Sequence, residues 1–81
     1  MAERLNQHTN PIIGRNIVRL RNNRKLRPTE VIQALAKRGI KVSSGAFSKI
    51  ENGSNNPMIA MLKVLTEILD CDYNDFFDAA S

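Results

Sequence analysis

Apolar residues in this chain recur at helical spacing, and nowhere do they alternate as a half-buried strand requires. Ile13, Ile17 and Leu20 stand four and three residues apart. They predict a first helix running to about Asn22, with Asn10 as its cap and Pro11 as its first residue. After a polar, basic turn, Pro28 opens a second helix, Glu30 suits its positive end, Val31, Ile32 and Leu35 face inward, and Gly39 ends it. Ser43 caps a third helix, which Gly53 stops. Asn56-Pro57 repeats the cap-then-proline start for a fourth, with Met58, Met61, Leu62, Leu65, Ile68 and Leu69 as its stripe. Asp72, with Asp75 in a capping-box position, starts a short fifth helix, and Phe76 and Phe77 add apolar area near its end. There is no repeat or low-complexity tract. The pattern predicts one small all-α domain of five helices.

The third helix carries the chemistry. At about 100° per residue from Ser44, Ala46, Phe47 and Ile50 fall near 200°, 300° and 240°, a single buried stripe. Ser44, Ser48, Asn52, Gly45 and Lys49 fill the opposite arc, from about 0° to 140°. A short helix with one buried stripe and a small, polar, singly basic face suits a DNA major groove, where Lys and Ser can reach base edges. A solvated helix face is the plainer alternative.

The stretch F-S-K-I-E-N-G (Phe47 to Gly53) resembles the end of the recognition helix in helix-turn-helix domains of the XRE/Cro type, the class of the phage repressors. Ile13 to Arg21 is similar to that family's first helix, and Asn56 to Phe77 to its fourth and fifth. The match covers roughly residues 10–78. It implies a five-helix, lambda-repressor-like DNA-binding domain over 10–78, preceded by a flexible N-terminal arm over 1–9. It implies a transcriptional regulator, most simply a repressor that binds a palindromic operator in double-stranded DNA as a homodimer. Mapped onto this chain, base contacts fall to Ser43, Ser44, Gly45, Ser48 and Lys49, and phosphate contacts to Arg27, Thr29, Lys41 and Asn52. Arg21 and Glu51 form a structural pair that sets the angle between helices; two unrelated solvated charges are the alternative.

The chain departs from the family in three places. No bidentate Arg, Asn or Gln occupies the leading turn of the third helix, so direct readout is lean and DNA shape carries more. Where the family places Ser-Gln or Asn-Gln at the second helix start, this chain has Arg27-Pro28. The connection Lys37-Arg38-Gly39-Ile40-Lys41-Val42 is longer than the tight turn the family needs, and it leaves open whether Lys37 and Arg38 face phosphates.

Charge supports the nucleic-acid reading independently. Residues 1–53 hold eleven Lys/Arg against three acids, whereas residues 54–81 hold Lys63 against five acids, so a basic half adjoins an acidic one. Cys71, the single cysteine, excludes an internal disulfide and reads as a core filler, with a redox thiol as the lesser alternative. His8 has no second ligand near it, so no metal or cofactor is expected. No nucleophile–base pair, phosphate loop or carboxylate dyad stands out, which argues against an enzyme. The apolar run Met58 to Leu62 is too short to span a bilayer and the N-terminus lacks a signal core, so a cytoplasmic location is expected. The competing reading is a protein-interaction role, either the antitoxin of a toxin–antitoxin pair or an adaptor on the same fold, which would add a cognate toxin as partner.

Overall fold

Ile17, Val31, Leu35, Phe47, Leu65 and Phe76 meet in one core where none is more than 1% exposed. Burying a side chain of this size stabilises the fold by about 1.5–3 kcal/mol each. A computed structural model describes residues 11–78. Within them lie α1 (Ile12–Asn23), α2 (Pro28–Lys37), α3 (Ser44–Glu51), α4 (Ile59–Leu69) and a terminal 3-10 helix (Tyr73–Phe77). The described residues are all-helical and contain no β-strand.

The helices are stopped by one device. A residue in the left-handed region follows each, at Lys25 (φ 57°), Gly39 (φ 87°), Gly53 (φ 89°) and Asp70 (φ 52°). The N–H one residue further on then donates back five positions: Leu26 to the Arg21 carbonyl, Ile40 to Leu35, Ser54 to Lys49 and Cys71 to Thr66, at 2.8–3.0 Å. These bonds satisfy carbonyls that the helix end leaves open. The two glycine stops are readable from sequence. The Lys25 and Asp70 stops are not, because an L side chain resists this conformation and only the surrounding structure imposes it.

Two expectations change, and one left open is settled. The fifth element is a 3-10 helix and not an α-helix. Its Asp72 N–H donates to Asp75 Oδ2 at 2.9 Å, the expected capping contact. Beyond it, however, the Asn16 amide of α1 donates to the carbonyls of Phe76 (2.8 Å) and Asp78 (3.1 Å), so a side chain satisfies the chain end that another helical turn would otherwise serve. Helix α4 begins at Ile59, not at Pro57. Pro57 is buried in the core, and the first helical bonds run to the Met58 carbonyl from Met61 (3.1 Å) and Leu62 (3.2 Å). The two phenylalanines part company: Phe76 is fully buried while Phe77 is 48% exposed. The Asn10 cap and the residue 1–9 arm lie outside the described residues.

Two contacts seat α3. Gly14 of α1 lies against its C-terminal end, and a methyl group there would come within 2.6 Å of the Ile50 and Glu51 carbonyl oxygens, so only glycine permits the approach. On the other side, residues 38–43 join α2 to α3. Behind this connection is an open hollow of about 290 Å³, lined largely by Ile40, Val42, Ala46, Ile50, Met58 and Met61.

Candidate nucleic-acid interface

Helix α3 forms because Ser43, in an extended conformation, accepts the Ala46 N–H on its Oγ at 3.1 Å, and because Phe47 and Ile50 have a core to enter. With that stripe buried, Ser44, Gly45, Ser48 and Lys49 are left exposed on the outer side. Ser43 is exposed as well, but its oxygen is engaged as the cap; its hydroxyl hydrogen remains a donor. Asn52, also exposed, accepts the Ser54 N–H on Oδ1 at 2.9 Å, which leaves the amide Nδ2 as its outward donor. The face offers hydroxyls, an ammonium and an amide, all groups that meet base edges or phosphate oxygens.

The orientation of this face is held by Arg21. Its Nε donates to Glu51 Oε2 at 2.8 Å and its Nη2 to Oε1 at 3.4 Å, with both side chains 12–13% exposed. Its Nη1 donates to the Leu26 carbonyl at 3.0 Å. One guanidinium therefore ties the end of α1, the α1–α2 turn and the end of α3 together. Nε, Nη1 and Nη2 of Arg21 thus each donate within the fold, and the pair fixes where the end of α3 sits.

Arg27 and Thr29 are exposed at the start of α2, and Lys41 is exposed in the α2–α3 connection. The carboxylate of Glu30 also sits at the α2 start, where its Oε1 accepts the Arg27 backbone N–H at 2.8 Å. A phosphate arriving here would meet that negative charge at the helix end, so the Arg27 guanidinium is left to bind it from outside. Ser44, Gly45, Ser48 and Lys49 thus share the outer side of α3, while Arg27 and Thr29 stand at the start of another helix, α2.

Two residues of α1 that fix how neighbouring elements pack carry a faint signal in the sequence or none. Asn16, 0% exposed, falls at helical spacing inside the Ile13–Ile17–Leu20 stripe, where a polar residue signals a buried partner. Arg19 supports it, donating to Asn16 Oδ1 at 3.2 Å and to the Asp75 carbonyl at 3.2 Å. Gly14 has no such signal. Cys71 is partly buried, and burial first, then the carboxylates of Asp75, Asp72 and Asp70, push its thiol up to about 11 against a partial offset from Arg19. A thiol in that range stays protonated at neutral pH and is a poor nucleophile. Among the described residues no three His, Cys, Asp or Glu gather as metal ligands, and no helix is long and apolar enough to cross a membrane. No family model, curated protein or solved structure matches the chain.

Proposed function

We propose that this protein is a sequence-selective, double-stranded-DNA-binding transcriptional regulator of the helix-turn-helix type, in which α2 and α3 form the motif and α3 enters the major groove. The observation that carries the reading is the exposed, acid-free face of α3, Ser44, Gly45, Ser48 and Lys49, on a helix fixed from behind by the Arg21–Glu51 pair. Lys49 and the two serines read base edges, Gly45 lets the backbone come close, and Asn52, Arg27, Thr29 and Lys41 meet phosphates. The overall likeness is to the five-helix, lambda-repressor-like architecture, with the 3-10 helix in the place of the fifth helix. The protein works as a homodimer on a two-fold operator and represses by occupying it, inside the cytoplasm.

Selection of binding sites from random duplexes tests this directly. Wild type should enrich a two-fold sequence. Ser44→Ala and Lys49→Ala should each alter preference at one or two base pairs, by about 1–3 kcal/mol, with helical circular dichroism intact. Enrichment of no sequence at all, by any of the three proteins, would overturn the reading. The lean leading turn Ser43-Ser44-Gly45-Ala46 favours the protein-interaction alternative, an antitoxin or adaptor, in that case.

A further inference from the structure

The end of α2 and the α2–α3 connection carry positive charge that no ion pair among the described residues neutralises. Lys37, Arg38 and Lys41 are exposed, and among the described residues none pairs with a carboxylate. Arg38 rests its Nη1 on the Ala34 carbonyl of its own helix at 3.3 Å. From Val31 to Ile50 the chain has no Asp or Glu, yet it holds these three cations and Lys49. Like charges so close together repel, and nothing in this run offsets them.

The backbone beneath these side chains is anchored. Gly39 takes the left-handed turn, its N–H donates to the Ala36 carbonyl at 3.1 Å, and the Ile40 N–H donates to Leu35 at 2.9 Å. Ile40 and Val42 pack against the core on either side of Lys41, and Ser43 follows at once as the cap of α3. The three cations are therefore carried on an anchored stretch of backbone that runs from the end of α2 to the start of α3. A connection already ordered in this way loses little further backbone freedom when it binds.

We infer that Lys37 and Arg38, together with Lys41, form a second phosphate clamp, which holds the backbone of the same duplex beyond the base pairs that α3 reads. The inference rests on the DNA-binding reading above. A duplex fits better than a single strand, because the only aromatic ring between Val31 and Ile50, Phe47, is buried, so this run presents no ring for bases to stack on. Contacts to phosphate fix register and add affinity without adding base preference. They also release counterions, so each contact leaves its mark on salt dependence.

The test compares wild type with Lys37→Gln/Arg38→Gln, both on the best duplex from the random selection and on a scrambled duplex of equal length, by fluorescence anisotropy between about 50 and 200 mM salt. Removing two contacts should make the slope of log K against log salt shallower by about 1.8, so that wild type loses about tenfold more affinity than the variant across that interval. The loss should be equal on both duplexes, and Lys37→Arg alone should keep the wild-type slope. If wild type binds and the double variant keeps the same slope, the clamp is wrong while the DNA-binding reading stands. An unchanged slope with altered base preference would also overturn it, in favour of base readout. If wild type binds neither duplex, the DNA-binding reading fails and takes the clamp with it.

Discussion

A methyl group at Gly45 would meet nothing within 4 Å, and its backbone is not in the left-handed region. Neither packing nor conformation explains a glycine in the first turn of α3, where it costs up to about 1 kcal/mol relative to alanine. On the proposed function, close approach of DNA to the exposed side would explain it. Gly45→Ala should therefore raise thermal stability, by up to about 1 kcal/mol, while weakening binding to the selected duplex. A variant both more stable and equally tight in anisotropy would remove Gly45 from the interface. The contrast with Gly14 and Gly53 is instructive, since a methyl group would strike backbone oxygens at the first and Pro11 at the second. Gly14 serves packing, and Gly53 both packing and a left-handed turn; Gly45 serves neither.

Among the elements, the seating of α3 decides what the site can do. Arg21 holds α3 by its end, with a two-pronged contact to Glu51 and a third hydrogen bond to the Leu26 carbonyl. Because both partners are largely buried, removing one leaves a charge that water reaches poorly. Glu51→Ala, Arg21→Ala and the double variant, followed by chemical denaturation, should yield a coupling of roughly 1–3 kcal/mol. A coupling near zero would mean that the pair does not hold α3. The exposed Arg24–Asp70 pair at 3.4 Å, joining the ends of α1 and α4, should contribute far less. From the middle of α1, Asn16 and Arg19 hold the terminal 3-10 helix by its carbonyls, which keeps Phe76 in the core and turns Phe77 outward.

For the whole molecule, the distribution of charge and of exposed aromatic rings bears on assembly. Tyr73 and Phe77 are 46% and 48% exposed, and Asp72, Asp75 and Asp78 stand beside them in the chain. On the proposed function such a surface would repel phosphate and suit a protein neighbour, leaving the basic half for DNA. The molecule measures 31 × 30 × 21 Å. Two copies side by side can thus place their α3 helices about 34 Å apart, one turn of duplex. Wild type should sediment as a dimer, at least on DNA, and Phe77→Asp should be monomeric with unchanged helical content. A folded Phe77→Asp that still dimerises would place the interface elsewhere, and a wild type that stays monomeric on DNA would end the dimer proposal.

The all-helical class, the glycine stops at Gly39 and Gly53, the Ser43 cap and the inward stripes were legible in the sequence because each depends on residues within a turn or two of one another. Helical period and chain-stopping chemistry are local. The exposed arc of α3 followed from the same arithmetic, and the expectation of an Arg21–Glu51 pair came from the family resemblance. What only the tertiary structure decided depends on which surfaces meet. It set Asn16 against the carbonyls of Phe76 and Asp78, pressed Gly14 onto α3, drew Pro57 into the core ahead of α4, forced Lys25 and Asp70 into left-handed turns, and separated Phe76 from Phe77. Residues distant in sequence supply these constraints, and no local pattern encodes them, because the energy of each contact exists only once both partners have been brought together.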